Sequence, residues 1–295
     1  MLNKTNILAL VGGGQNPQFS KNKIIIYDCH QELIIRQIRF NSYITNVKLR
    51  KDSIIGFIQD KIYILNINSL ETIDIIEIDK TLKPIYGLSN SNALIIAFPH
   101  INNKGKIQIN KYFISSKINN KEKLSINAHE SNVTFIAINN NGTLLASGSE
   151  KGPYIRLFNT SNGDLLAELK RGKKSHINWI AFETNNNIIG YIGDNGKVYI
   201  YDINELKNVI YNNEEEKKEK NKEEAENKIH EKIKIKEKPI TKFKIKEIKN
   251  LLGFVEPKCI VILNLEGKFY KASYDVKYKL KCLLLEESFL NIEDQ

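Results

Sequence analysis

Residues 145–172 read LASGSEKGPYIRLFNTSNGDLLAELKRG, and their chemistry is that of an anion site. Lys170 and Arg171 stand side by side at the end of an apolar run and are closed by Gly172. Such a pair suits phosphate, because charge-assisted hydrogen bonds to phosphate oxygens are strong and directional. Arginine offers a planar fork there, whereas lysine offers a point charge. Enzyme signatures are absent. Gly12 to Gly14 lie in a strand–turn context with no helix following, which does not support a dinucleotide site. The Gly148-Ser149-Glu150 run is not a nucleophile elbow, and no Ser/His/Asp order or carboxylate pair stands out. Cys29, Cys259 and Cys282 are far apart, with no CxxC or Cys/His metal spacing. Neither an enzyme nor a cofactor or metal is expected.

The 295 residues are 41% hydrophobic, enough for a sizeable core in one large all-β domain or two small ones. A net charge of +10 favours anionic partners: nucleic acid, a phospholipid surface or an acidic protein. Only five of the 44 cations are arginine: Arg36, Arg39, Arg50, Arg156 and Arg171. That argues against a nucleic-acid reader, which needs bidentate contacts. Three scattered cysteines suit a reduced cytoplasmic compartment. The opening MLNKTNILALVGGG is too short an apolar stretch for a signal peptide. No run approaches the roughly 18 apolar residues of a membrane span, so membrane contact is expected to be peripheral.

The elements that must position Lys170 and Arg171 are short β-rich runs with turn residues between them. They extend from Ile7–Val11 and Lys23–Tyr27 through Lys106–Phe113, Val133–Ile138 and Leu165–Leu169 to Leu280–Leu285. Starts recur at intervals of about 40 residues, at Ile44, Ile85, Val133 and Ile177, then at Leu251 after an insertion. About four strands fall in each unit, the period of a WD-repeat blade. Third strands share a shape: KIIIYDC, KIYILNI, YIRLFNT, KVYIYDI. Residues 212–238 break the pattern with nine Glu and nine Lys, so the excess positive charge lies on the rest of the chain. Ile229 and Ile233 make a poor apolar stripe that Pro239 interrupts, and a solvated loop within a blade is the expectation.

The ordered segments NILALVGGGQNPQFSKNKIIIYD, ITNVKLRKDSIIGFIQDKIYILNINSLETIDIIE and AHESNVTFIAINNNGTLLASGSEKGPYIRLFNTSNGDLLAELKRG carry a resemblance that spans nearly the whole chain. The chain resembles the PROPPINs, β-propellers that bind polyphosphoinositides and act in autophagy. The resemblance implies an all-β, WD-repeat-like β-propeller, seven-bladed in the family, as a single domain over residues 1–295. It places a charged insertion loop at 205–239. The first blade and the first strand of the second are expected to be missing, leaving about five complete blades and one without its inner strand. A fragment, a smaller closed ring or completion by a partner would each account for this, and a fragment is the preferred account.

The resemblance also implies two phosphoinositide sites flanking the motif Leu169-Lys170-Arg171-Gly172, which departs from the family's usual Arg-Arg pair. The first would use Lys170 with His129, Ser147, Ser149 and Arg156, with Pro153 where the family has a threonine. His129 and the serines also suit structural hydrogen bonds within blades. The second would use Arg171 with the next blade. There the family's serines are replaced by Ile192 and Gly193, its threonine by Lys197 and its histidine by Tyr199. Lys197 adds a charge, Ser175 and His176 lie nearby in sequence, and a weakened or reshaped site is expected. The insertion falls where relatives carry a membrane-inserting loop. It has no bulky apolar residue from Asn212 to Asn227, so Lys228, Lys232 and Lys234 would act electrostatically and deep insertion is not expected. Arg36, Arg39 and Arg50 read as strand-edge charges, and Trp179 and Phe182 as filling between blades. The implied partners are phosphatidylinositol 3-phosphate or 3,5-bisphosphate, an anionic membrane surface and autophagy proteins, and no nucleic acid. The alternative is a WD-repeat-like interaction scaffold that has lost or weakened lipid binding.

Overall fold

The structure is a computed structural model that describes residues 5–80, 83–114, 120–171, 176–204, 239–245, 250–255, 258–264, 268–274 and 283–289. Among the described residues, consecutive strands form six sheets, one of three strands and five of four. Contacts divide the chain into two compact units. One comprises Met1–Ile85, Pro99–Asn103 and Phe113–Lys121; the other comprises Tyr86–Phe98, Lys104–Tyr112 and Glu122–Gln295.

The first unit holds sheet one, β1 (Ile7–Val11), β2 (Lys23–Asp28) and β3 (Leu33–Arg39). It also holds sheet two, β4 (Asn46–Leu49), β5 (Ser53–Phe57), β6 (Lys61–Asn66) and β7 (Thr72–Glu77). Alternation sends Ile24 and Ile26 of β2 into a core with Phe40, Ile44, Ile54, Ile58 and Leu65, against which Ile7, Ala9 and Val11 pack. The β2–β3 register shifts at Ile26/Tyr27, as β6–β7 shifts at Ile64/Leu65. In sheet two that shift joins the third strand to the fourth. Together with the shared shape of KIIIYDC and KIYILNI, it puts β1, β2 and β3 at the second, third and fourth positions of the repeat. Arg50 departs from its reading as a strand-edge charge, because it is only 3% exposed. Its guanidinium forks onto Asp52, Nε to Oδ1 at 3.0 Å and Nη2 to Oδ2 at 3.1 Å. Burial alone would raise the Asp52 carboxyl, but the Arg50 hydrogen bond and charge hold it below the usual value.

The second unit carries the rest. Sheet three is β8 (Gly87–Leu88), β9 (Leu94–Pro99), β10 (Lys106–Phe113) and β11 (Asn120–Asn127), its last residues on β10 and first on β11 clustering with the first unit. Sheet four is β12 (Val133–Ile138), β13 (Leu144–Ser149), β14 (Tyr154–Asn159) and β15 (Leu165–Lys170). Sheet five is β16 (Ile177–Phe182), β17 (Ile188–Gly193), β18 (Lys197–Asp202) and β19 (Thr241–Lys244). Sheet six is β20 (Asn250–Val255), β21 (Cys259–Asn264), β22 (Lys268–Ser273) and β23 (Leu283–Phe289).

These sheets stack through their first strands, β8 on β12, β12 on β16 and β16 on β20. One core joins sheets four and five through Leu157, Leu166, Leu169, Ile177, Ile180 and Tyr191, with Phe182 packed against it. A second joins sheets five and six through Val198, Ile200, Leu252, Ile260 and Ile262, with Trp179 against it. The Trp179 ring also meets Phe135 edge-on at 5.4 Å. Gly148 leaves room for this stacking, since a Cβ there would lie 2.0 Å from Ile177 Cδ1.

β11 has no counterpart among the strands read from sequence. Its residues NKEKLSIN are mostly exposed, as suits an outermost strand whose polar side chains guard a free edge. The charged run at 205–238, with Lys228, Lys232 and Lys234, lies outside the described residues. Its ends place it between β18 and β19, the third and fourth strands of sheet five.

Candidate anion-binding site

β15 delivers the two cations. Leu166 and Leu169 anchor it in the core, and Lys170 ends it, exposed, opposite Tyr154. The ladder then continues by one bond, Arg171 N–H donating to Pro153 O at 2.9 Å. The 150–153 turn that receives it is itself tied down. Lys151 N–H donates to Ser131 Oγ at 3.1 Å, and Gly152 N–H to Ser149 Oγ at 3.3 Å.

Successive strand residues point to opposite faces. Lys170 therefore shares a face with Glu168, and Arg171 takes the other. On the Glu168 face, the register Ser147↔Arg156 and Arg156↔Glu168 sets three polar side chains in a row across β13, β14 and β15. Arg156 Nε donates to Glu168 Oε1 at 2.9 Å and Nη1 to Ala128 O at 2.7 Å. His129 Nε2 meets Ser147 Oγ at 2.9 Å, with the donor set by the tautomer. Burial, then the charges of Arg156 and Arg171, push the His129 imidazole down to about 4, so it is neutral at pH 7. Gly105 positions this histidine. It accepts the His129 N–H at 2.9 Å, has φ 75°, and a Cβ on it would sit 1.7 Å from His129 O. A cleft of about 460 Å³ opens beside the row, lined by Ser125, Asn127, Arg156, Asn162 and Glu168 among others.

Arg171 is only 7% exposed. Its Nη2 donates to Ser149 O at 2.9 Å, while Nη1 is buried without a hydrogen-bond partner among the described residues. Burial pulls the guanidinium below its ordinary value; Tyr191 and Asp194 of the next sheet oppose this. An arginine stays protonated even so, and a buried charged donor lacking an acceptor is costly until an anion supplies one. Facing it, Tyr199 stacks on Tyr191 at 4.8 Å and 5°, and Tyr201 donates its hydroxyl to Lys170 O at 2.6 Å. Asp194 N–H donates to His176 O at 2.9 Å. Lys197 is exposed at the start of β18, and its N–H donates to Asn195 Oδ1 at 3.0 Å. Ile192 and Gly193 are buried.

The structure thus gathers His129, Ser147, Ser149, Arg156 and Lys170 about sheet four, while Arg171 meets Tyr191 and Asp194 of sheet five, and Lys197 begins the strand that follows Asp194. Ser175 and Gly172 lie outside the described residues. Sequence reasoning missed Glu168, Ser131 and Tyr201. Glu168 had a signal, since Arg156 and Glu168 flank one hairpin turn, Thr160 to Asp164, whose length sets them opposite one another.

A family model described as PROPPIN matches residues 16–219. SVP1-like protein 2 of Saccharomyces cerevisiae is 31% identical over 234 residues, covering 70% of this chain and 52% of its own length. The SVP1-like protein 2 of Emericella nidulans is 28% identical over 216 residues, covering 73% and 65%. Autophagy-related protein 18 of Dictyostelium discoideum is 28% identical over 204 residues, covering 69% and 53%. The chain therefore spans between half and two-thirds of the length of these relatives. Among solved structures, Kluyveromyces lactis Hsv2 superposes with a TM-score of 0.75 at 19% identity, over 98% of this chain and 85% of that one. KlAtg21, solved in complex with a coiled coil of AgAtg16, gives 0.74 at 19%, over 99% and 84%. Identity that low speaks for the fold, an all-β propeller of antiparallel sheets. With the family model covering most of its residues, the chain belongs to the PROPPIN family.

Proposed function

We propose that this chain is a non-enzymatic scaffold recruited to membranes by phosphoinositides. It reads phosphatidylinositol 3-phosphate or 3,5-bisphosphate through Lys170 and Arg171 and presents autophagy proteins at the membrane surface. One observation carries this reading: a buried arginine with an unpartnered Nη1 stands next to an exposed lysine on the opposite face of the same strand end. His129, Ser147, Ser149 and Arg156 surround the Lys170 face and supply polar groups for one headgroup; Lys197 joins Arg171 for another. Two contacts on one rigid strand end act together, so modest individual affinities add up to useful avidity. The protein is peripheral to cytoplasmic membranes of the autophagosomal, endosomal or vacuolar type. The net charge of +10 supports attraction to anionic lipid. Among the described residues no helix is long and apolar enough to cross a membrane. The coiled coil bound by KlAtg21 suggests an autophagy protein of that kind as partner.

A second reading, an interaction scaffold with weakened lipid binding, draws on the internal bonds of Arg156 to Glu168 and Ala128 O. Those bonds occupy donors that a headgroup would otherwise take. Flotation with vesicles containing or lacking phosphatidylinositol 3-phosphate separates the two. Changing Lys170 and Arg171 together to Thr is expected to abolish specific flotation while thermal unfolding stays cooperative. Undiminished flotation of that variant would remove the assignment, and absence of flotation by the folded parent would favour the second reading.

A further inference from the structure

Sheet five turns more positive charge toward β15 than Lys197 alone. Register pairs Lys197 with Lys244 and Tyr199 with Lys242 across β18 and β19. Val198 and Phe243, between these rows, pack into the core shared with sheet six. Tyr199 packs instead on the core shared with sheet four. Strand alternation therefore puts Lys197, Lys242 and Lys244 on the face that looks toward β15 and Arg171. All three are exposed, and none joins an ion pair among the described residues. Like charges directly opposite one another across two strands destabilise the pairing.

The placement repeats that of the dibasic motif. Lys170 ends its strand opposite Tyr154, the first residue of β14, and the next N–H, of Arg171, donates to Pro153 O. Lys244 ends its strand opposite Lys197, the first residue of β18, and the next N–H, of Ile245, donates to Gly196 O at 3.0 Å. Sheet five thus offers a second terminal lysine at the same end as the first. Arg171, which follows the first lysine, is buried, with Nη1 unpartnered among the described residues. Asp194, in the turn before β18, contributes a negative charge there and acts on Arg171.

We propose that Lys242 and Lys244 join Lys197 and Arg171 Nη1 in a phosphate clamp for an inositol ring bearing two or more phosphomonoesters. The clamp rests on the lipid-reading function proposed above and names residues for its second half. Ammonium groups are rotatable point charges, without the fixed fork of arginine or the short reach of a hydroxyl. A clamp made of them ranks ligands by phosphate number, since point charges set no fixed angle that would read ring stereochemistry. The same chemistry is met by a lipid headgroup and by a free inositol phosphate.

The test uses the full chain and its Lys242→Gln, Lys244→Gln double variant, both checked by thermal unfolding. The probes are phosphatidylcholine vesicles carrying phosphatidylinositol 3-phosphate or 3,5-bisphosphate, and soluble inositol 1,3,5-trisphosphate. A charge close to an anionic surface contributes about fivefold in affinity. The variant is therefore expected to lose roughly that factor per lysine on bisphosphate vesicles and on the soluble ligand, less on monophosphate vesicles, with a shallower salt dependence. An unchanged preference between the two lipids and an unchanged salt dependence would overturn the clamp. Should the parent bind soluble trisphosphate but float on neither vesicle, and the variant lose that binding, lipid reading fails while the clamp stands. A parent that binds none of the three probes overturns both.

Discussion

Three cations within sixteen residues do different work, and their partners say which. Arg156 has Nε on Glu168 and Nη1 on Ala128 O, so much of its donor set is occupied within the protein. Lys170 is exposed at a strand end. Arg171 is buried with Nη2 satisfied and Nη1 bare among the described residues. Burial, and then the charges of the two guanidinium groups, hold His129 near 4 against an ordinary 6.5. The sign follows from linkage: between these values the unfolded chain binds the proton that the folded chain refuses. Stability from this group is complete above about pH 6.5 and is lost as pH falls toward 4. The thermal midpoint of the parent should drop across that window, and His129→Gln should flatten the drop. Parallel pH curves for the two proteins would show that His129 does not carry the effect. The cations were legible in sequence as residue types. Their division into paired and unpaired was not, because it depends on Glu168 and on carbonyls that only cross-strand register brings near.

At the scale of the element, the chain is a repeated meander whose alternation of apolar and polar residues announces each inward strand. First strands begin at Asn46, Gly87, Val133, Ile177 and Asn250, within two residues of the starts read from the repeat. β11 escaped that reading because alternation fades where a strand has only one neighbour and faces solvent. Connections between sheets matter as much as strands. The β11–β12 connection carries Ala128, which caps Arg156, and His129, which meets Ser147, and Gly105 holds it by accepting both N–H groups. An alanine at Gly105 would bring a Cβ to 1.7 Å from a backbone oxygen at a positive φ of 75°. Backbone atoms cannot swing aside as a side-chain tip can. Gly105→Ala is therefore expected to cost about 2 kcal/mol or more in urea unfolding, and to weaken flotation on phosphatidylinositol 3-phosphate vesicles by displacing His129. Retention of both would show that the connection can relax freely.

For the whole molecule, under the proposed lipid-reading function, charge would set the approach to a membrane and the fold what is read there. Residues 212–238 hold equal numbers of Glu and Lys, so their removal leaves the net charge at +10. Long-range steering depends on that summed field. Deleting 212–238 should therefore leave both the preference between mono- and bisphosphate vesicles and the salt dependence of flotation where they were. A switch in preference would make the insertion part of the reading surface. The propeller fold is shared with structures at 19% identity, so it tolerates wide change in sequence.

The sequence by itself determined the repeat, the strand faces and the family, because a period of two within a period of about forty leaves few other folds. It also placed Lys170 and Arg171 at the end of a strand. Only the tertiary structure decided which partners each cation meets. That choice arises where separate sheets are stacked, through contacts such as Arg156 to Ala128 O and Arg171 to Ser149 O, between residues 28 and 22 positions apart. The bare nitrogen of Arg171 is a product of that stacking. So is the turning of Lys242 and Lys244 toward it after a long insertion, since the return of β19 to the edge of β18 is a pairing that no local pattern specifies.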